Sequence, residues 1–218
     1  MIISSRSAAE YRAMFGLTAA DLAGSAVLDC CAGGSSFAAE TASRVVAADP
    51  AYRLDRDELA ERVWASLRET GAILGEHAEH FDWSWYGTRA ARDRMRAKAA
   101  GRFLADIGAR PRRYIAAALP HLPMTTGSFD LVLCSHLLFT WSNVLDADWH
   151  FTALAELARV ARREVRVYPV VSQGAGQPVA FLGDVRARLH AIGYCTTIAE
   201  VPYRFQRTAG QMLVVSSV

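Results

Sequence analysis

The stretch AVLDCCAGGSSFAAE, residues 26–40, decides the fold. A short apolar run leads into a turn of small residues, after which a helix is predicted to begin with Ser35 or Ser36 as its cap. The following stretch, RVVAADP at residues 44–50, is another β-branched run, and it ends in Asp49 and a proline. Strand, tight turn, helix and strand in this order predict the βαβ unit of a parallel sheet.

The rest of the chain alternates between strand and helix patterns. This alternation, with an antiparallel finish, predicts an α/β three-layer sandwich whose sheet is mostly parallel and ends in a C-terminal hairpin. Predicted strands are RRYIAAALP (112–120), SFDLVLCSHLLF (128–139) and EVRVYPVV (164–171), predicted helices are FTALAELARVARR (151–163) and VAFLGDVRARLHAIGY (179–194), and the hairpin comprises residues 196–207 and 211–218.

Two helical segments complete the pattern. Residues 6–23 have the composition of a helix that Gly24 closes, so residues 1–24 are predicted to form an N-terminal helical segment. No run between residues 54 and 110 has a strand pattern, and a simple crossover unit needs only about 30 residues. A helical cap inserted after the second strand is therefore predicted there. The whole chain, residues 1–218, is expected to form one domain.

The composition excludes several classes of protein. The 218 residues are 52% hydrophobic and 21% charged, which is ordinary for a globular domain and unlike a disordered chain. No apolar run approaches the roughly 18 residues of a membrane span. Arg6 and Glu10 stand where a secretory signal needs its apolar core. The pattern predicts a cytoplasmic protein without a membrane partner.

The cysteines and the net charge suggest no further chemistry. Cys30, Cys31, Cys134 and Cys195 form neither a CxxC pair nor a spacing typical of zinc ligands. Neither a disulfide framework nor a metal site is predicted, and free thiols, mostly buried, are expected. The net charge of +2 calls for neither a nucleic acid nor a membrane as partner.

The strongest local signal for a ligand is the pair of Asp29 and Asp49, which close the first two predicted strands. In an open parallel sheet the ligand binds at the carboxyl ends of the strands, where small residues let the backbone approach it and an acid holds the ribose. Asp49 is the predicted ribose acid. The glycines do not complete GxGxxG, so a plain tight turn between strand and helix is the alternative interpretation.

The sequence resembles the class I S-adenosylmethionine-dependent methyltransferases, which have a Rossmann-like fold. VLDCCAGGS, residues 27–35, is similar to their first motif, hydrophobic-L-D-x-G-x-G-x-G, with Gly33 at the middle glycine and Cys31 and Ser35 at the outer ones. LPMTTGSFDLVLCSHLLF, residues 122–139, resembles the family's stretch before and along the fourth strand. Residues 193–215 resemble its closing hairpin.

This resemblance implies S-adenosyl-L-methionine as cofactor. Asp29, with the turn residues, would then line the methionine portion, while Asp49 holds the ribose. Ser135, just past the fourth strand, would touch both cofactor and acceptor. The full set of cofactor residues that it implies is Tyr11, Asp29, Cys31, Ala32, Gly33, Asp49, Pro50, Leu119 and Ser135.

Candidate acceptor and catalytic residues follow the fourth strand or lie in the cap. His136 is the candidate base for an acceptor that must lose a proton, and a histidine packed beneath the cofactor is the alternative. His150 and His190 lie on helical stretches, where surface positions are favoured. Aromatic faces can enclose a sulfonium and an apolar acceptor, or simply form the core of the cap; they are Trp83, Tyr86, Phe139 and Trp141.

The predicted reaction is methyl transfer to a small-molecule acceptor. Alternatives within the same fold are cyclisation or aminocarboxypropyl transfer, which use the same sulfonium. A third alternative is RNA binding, because residues 89–113 carry eight arginines and Lys98 against Asp93 and Asp106. A solvated helix face is the favoured interpretation of that strip.

Overall fold

A computed structural model describes residues 2–76 and 78–217 of the protein. Within these residues, seven strands form one mixed sheet in the order β3-β2-β1-β4-β5-β7-β6. Strands β1 to β5 are parallel, and β7 pairs antiparallel with both β5 and β6. The predicted α/β sheet with its antiparallel finish is confirmed. The strands are β1 Ala26–Cys30, β2 Arg44–Ala48, β3 Tyr114–Ile115, β4 Phe129–Ser135, β5 Ala161–Tyr168, β6 Tyr194–Glu200 and β7 Gln211–Ser217.

Helices cover both faces of the sheet because successive residues of each buried strand point to opposite sides. Val27 and Leu131 face one apolar core, whereas Leu28 and Val132 face the other. The first core packs against α1, α4 and α5, and the second against α6 and α7. The helices are α1 Ala8–Phe15, α2 Ala19–Leu22, α3 Phe37–Glu40, α4 Arg56–Glu76, α5 Arg89–Ala109, α6 Ala147–Val160 and α7 Leu182–Ala191.

The N-terminal segment is less helical than its composition predicts. Helix α1 begins with a capping box at Ser7 and ends at Gly16, whose φ of 57° is left-handed and suits a glycine. The expected continuous helix is therefore wrong. Ahead of it, residues 3–6 are not helical and are mostly buried, and the backbone N–H of Ile3 donates to Ser66 Oγ of α4 at 3.0 Å.

Some elements are shorter than predicted. Helix α3 is a single turn, and β3 has only two residues, because the chain after Ile115 leaves the sheet for a loop. The hairpin begins at Tyr194 and stops at Glu200, so its connection runs over residues 201–210. Tyr203 and Phe205 in this connection are buried and reach the site described below.

Helices α4 and α5 occupy the segment predicted to be a helical cap. Phe103 of α5 packs against Tyr52 and Tyr114 beside the sheet edge, at ring-centroid distances of 5.8 and 5.6 Å. The first half of α5 lies near α1, and its Arg96 forms an ion pair with Glu10 of α1. The segment therefore packs both on the sheet edge and on α1. None of the helices in the described part of the chain has the length and apolarity needed to cross a membrane.

Candidate active site

The turn after β1 is joined directly to the acid after β2. Gly33 has a φ of 55°, and its backbone N–H donates to Asp49 Oδ2 at 2.9 Å. The other carboxylate oxygen of Asp49 accepts from the backbone N–H of Ala51 at 2.9 Å. The two features that the sequence places at one sheet edge are thus in contact, and Asp49 orders both the turn and the short helix that follows it.

Cys31 occupies a backbone conformation that usually favours glycine. Its φ is 61°, which is uncommon for a residue with a Cβ and is tolerated where the surroundings hold it. The N–H groups of Cys31 and Ala32 both donate to Ala48 O, at 2.7 and 3.2 Å. These two bonds fasten the turn to the end of β2.

Asp29 is a buried carboxylate with one oxygen unpaired. Its Oδ1 accepts from the hydroxyl of Tyr11 at 2.9 Å, while Oδ2 has no hydrogen-bond partner among the described residues. Burial, reinforced by the nearby charge of Asp49, raises the pKa of Asp29 to about 8, against the opposing effect of the Tyr11 hydrogen bond. A buried carboxylate in this state favours a cationic hydrogen-bond donor as ligand.

The N-terminal segment lies over the turn. The N–H of Gly34 donates to Ser4 O at 3.1 Å, and that of Ser36 donates to Arg6 O at 2.9 Å. A Cβ on Gly33 would meet Ser4 O at 3.0 Å, so this close backbone approach needs a glycine. Tyr52 also donates to Gly33 O at 2.8 Å. The N-terminal segment is therefore packed directly on the turn.

The residues of this edge fit an adenosyl amino-acid cofactor. The unpaired Oδ2 of Asp29 can accept a hydrogen bond from an ammonium group. Each carboxylate oxygen of Asp49 accepts from one backbone N–H and has a further lone pair that can accept from a ligand hydroxyl. Pro50 begins the short helix after Asp49, and Leu119 is buried in the second core, which also contains Ala48 and Cys30. Tyr11 is itself fully buried, and its hydroxyl contacts Asp29.

Next to the turn, a cavity of about 460 Å³ opens at the carboxyl edge of the sheet. We call it the aromatic cavity, after the rings of Phe81, Trp141, Tyr168, Tyr203 and Phe205 that line it. Ser4 and Arg6 line it as well, so the N-terminal segment forms a wall shared by turn and cavity. A larger depression of about 770 Å³ lies on α3 and α5, away from the site residues.

His136 lies where the resemblance places it, at the end of β4 and in the lining of the aromatic cavity. Its Nδ1 is 2.8 Å from Ser135 Oγ, and its backbone N–H donates to Tyr168 O at 2.8 Å. Burial and then the charges of Arg6 and Arg96 lower the pKa of His136 well below its usual range. The imidazole is therefore neutral near neutral pH and has the protonation state of a base.

The predicted aromatic residues divide into two groups. Trp141 lines the cavity. Trp83 and Tyr86 do not line the cavity but pack against its lining residue Phe205, with ring centroids 5.2 and 5.3 Å away. Phe139 lies elsewhere, fully buried in the second core and stacked on His150. For Trp83, Tyr86 and Phe139 the structure therefore favours the alternative interpretation, that the rings form core.

The predicted surface position of His150 is wrong. This side chain is fully buried, because its Nε2 accepts the backbone N–H of Phe139 at 2.9 Å and its Nδ1 lies 2.8 Å from Asp146 O. Both ring nitrogens are thereby satisfied inside the core. His190, by contrast, is exposed as predicted.

Sequence reasoning missed three arginines in the cavity wall. Arg6, Arg92 and Arg96 are at most 9% exposed and line the aromatic cavity. The expectation that residues 89–113 form one solvated face is therefore wrong for Arg92 and Arg96. A signal was present, because the two lie at helical spacing on the same face as the buried Ala99 and Phe103.

Comparison with known proteins bears on the fold and the family. Residues 71–168 match the family model described as a methyltransferase domain. The chain is 25% identical over 218 residues to an uncharacterized protein of Methanocaldococcus jannaschii, an alignment that covers 98% of this chain and 95% of the relative.

Two solved methyltransferase structures are similar to this chain. Magnesium protoporphyrin IX methyltransferase of Synechocystis PCC 6803, with S-adenosylhomocysteine bound, has a TM-score of 0.50 at 12% identity over 89% of this chain and 75% of its own. The 1,6-didemethyltoxoflavin-N1-methyltransferase of Burkholderia thailandensis has a TM-score of 0.48 at 16% identity over 96% and 75%. The matched family model and the observed sheet order support a class I S-adenosylmethionine-dependent methyltransferase whose cofactor is S-adenosyl-L-methionine.

Proposed function

We propose that this protein transfers the methyl group of S-adenosyl-L-methionine to a small organic acceptor bound in the aromatic cavity. The observation that carries the proposal is the cavity itself, whose volume of about 460 Å³ and ring-lined wall suit a small molecule. RNA binding would need a basic groove along the surface. Burial of Arg92 and Arg96 removes two cations from the strip that suggested one.

The turn at the end of β1 is the proposed cofactor site. Asp29 Oδ2 would accept from the ammonium group of the methionine portion, and Asp49 would hold the ribose while it keeps the turn in place. Gly33 allows the close backbone approach. When bound, S-adenosyl-L-methionine supplies a methyl group that is already activated by a positively charged sulfur. The chain therefore has to orient the acceptor and exclude water, rather than activate the methyl group.

Trp141, Thr140 and His136 are the proposed residues on the acceptor side. Each lines the aromatic cavity, and Thr140 Oγ1 is buried without a hydrogen-bond partner among the described residues. A polar group of the acceptor would satisfy that hydroxyl. His136, neutral and held through Nδ1 by Ser135, would use its other ring nitrogen to take a proton from a hydroxyl, amine or thiol acceptor.

Product analysis tests the reaction. The protein is incubated with methyl-labelled S-adenosyl-L-methionine and the low-molecular-mass fraction of a cell extract, with heat-denatured protein as control. We expect S-adenosylhomocysteine and one labelled small molecule. Methylthioadenosine would mean that the bond on the other side of the sulfur breaks, as in cyclisation or aminocarboxypropyl transfer. That product, or label transferred to total RNA in a parallel incubation, would contradict the proposal.

Substitution of His136 tests its role as base. His136→Gln is expected to lower kcat by about a hundredfold or more, since general base catalysis contributes about 10²–10⁴, while the Kd for S-adenosylhomocysteine stays within about twofold. The parent rate should also remain constant as the pH falls through the usual titration range of histidine. His136 would be structural if this variant lost much of its cofactor affinity. The same would hold if the rate of the parent protein fell with pH across the usual titration range of histidine.

A further inference from the structure

The charged side chains that line the aromatic cavity are all basic. Three arginines, Arg6, Arg92 and Arg96, and two histidines line it, and no aspartate or glutamate is among the described lining residues. Behind the wall, Glu10 lies 2.7 Å from Arg96 Nε and is fully buried. Glu10 is thus the carboxylate of Arg96, whereas Arg92 pairs with the solvent-exposed Asp93.

Arg6 carries a buried charge that no carboxylate of the described residues contacts directly, and Glu10 acts on it only at longer range. Its side chain is 9% exposed, its Nη1 donates to Ser4 Oγ at 2.6 Å, and its Nε has no partner among the described residues. It forms no ion pair within the part of the chain that the structure describes. A guanidinium stays protonated even when buried, so this position favours an anion from outside the chain.

Arg92 presents a second donor beside an aromatic ring. It is 3% exposed, its Nε is unpaired among the described residues, and its guanidinium carbon lies 5.3 Å from the centroid of Phe205. Its carboxylate partner, Asp93, has a side chain that is 46% exposed to solvent, so water screens that pair. Burial and the charge of Arg96 lower the pKa of both Arg6 and Arg92, as expected when like charges are crowded together.

The proposed reaction adds a further positive charge here, that of the sulfonium. A neutral acceptor would leave the arginines and the sulfonium uncompensated in a site of low dielectric. We infer that the acceptor of the proposed methyl transfer, on whose correctness this inference rests, is an aromatic acid whose carboxylate or phosphate is held by Arg6 and Arg92. The rings of Phe81, Tyr203 and Phe205 then pack against its apolar part.

Matched pairs of acids and neutral analogues test the inference by calorimetry. Benzoate is compared with benzamide, phenylacetate with phenylacetamide, and phenyl phosphate with benzyl alcohol, each with S-adenosylhomocysteine at saturation and also without it. We expect at least one acid to bind about tenfold or more tightly than its neutral partner, with affinity falling as salt is added. Whether the preferred acid is a carboxylate or the phosphate shows which of the two anions the site binds. If neutral members bind equally well, or no acid binds, the inference is overturned.

Substitutions of the two arginines test whether they hold the acid. Arg92→Leu and Arg6→Leu should each weaken binding of the preferred acid about tenfold or more, while the Kd for S-adenosylhomocysteine is unchanged. Arg94→Leu, on the exposed side of α5, is the matched control and should change neither. If Arg6→Leu weakens cofactor binding but not acid binding, Arg6 belongs to the cofactor and the proposed pair is wrong.

The same measurements separate this inference from the proposed function. If the parent binds the acid but not S-adenosylhomocysteine, the methyltransferase proposal fails while the anion site stands. If it binds S-adenosylhomocysteine without preferring acids, the function stands and the aromatic acid is excluded.

Discussion

Glu10→Ala is expected to lower the free energy of unfolding by about 3–5 kcal/mol, as breaking a buried ion pair does elsewhere. Glu10 is fully buried and lies 2.7 Å from Arg96 Nε, whose side chain is 4% exposed. It also accepts from the backbone N–H of Ser7 at 2.7 Å and from the hydroxyl of Tyr86 at 2.5 Å. The truncation leaves a buried guanidinium and two donors unpaired. Urea denaturation of both proteins measures the difference.

A double variant separates the charge effect from simple loss of packing. Glu10→Leu combined with Arg96→Met removes both charges and keeps apolar volume, so it should be more stable than Glu10→Ala alone. Glu10→Gln, which retains an acceptor oxygen, should lie between Glu10→Ala and the parent. Equal destabilisation in Glu10→Ala and the double variant would show that the unpaired charge of Arg96 is not the cause.

Binding of S-adenosylhomocysteine near neutral pH is expected to release a fraction of a proton that approaches one, and Asp29→Asn should abolish that release. In the free protein the pKa of Asp29 is raised to about 8, so the carboxyl is mostly protonated below that pH. An ammonium group beside it stabilises the carboxylate and lowers the pKa, which expels the proton. Calorimetry in buffers of different ionisation enthalpy measures the number released, and the release should vanish in alkaline solution.

The same substitution should weaken S-adenosylhomocysteine binding about thirtyfold or more, because it removes one charge of a buried hydrogen-bonded pair. Asp49→Asn is the control, since it alters the proposed ribose site but keeps the carboxyl of Asp29. It should reduce affinity while most of the proton release persists. Unchanged proton release in Asp29→Asn would exclude Asp29 as the partner of the cofactor's amino group.

The parallel order of the sheet could be predicted because its determinants are local. Apolar runs such as residues 27–28 and 131–134 alternate with helical patterns, and buried crossovers bring the carboxyl ends of neighbouring strands to one edge. The contact between Gly33 and Asp49 follows from that rule alone. Element lengths were less predictable: the helical composition of residues 6–23 did not show that the chain turns left-handed at Gly16.

The acceptor side of the site could not be predicted, because packing between distant segments builds it. The hydroxyl oxygens of Tyr86 and Tyr203 lie 2.5 Å apart, although 117 residues of sequence separate them. Arg6 of the N-terminal segment lines the same cavity as Arg92 of α5. No periodicity relates positions in such distant segments, and only the helical spacing of Arg92 and Arg96 with Ala99 and Phe103 indicated their burial. The parallel sheet and the shared edge of its first two strands were thus determined by the sequence through short-range rules, whereas the cationic, ring-lined cavity arose only when tertiary packing desolvated its charges.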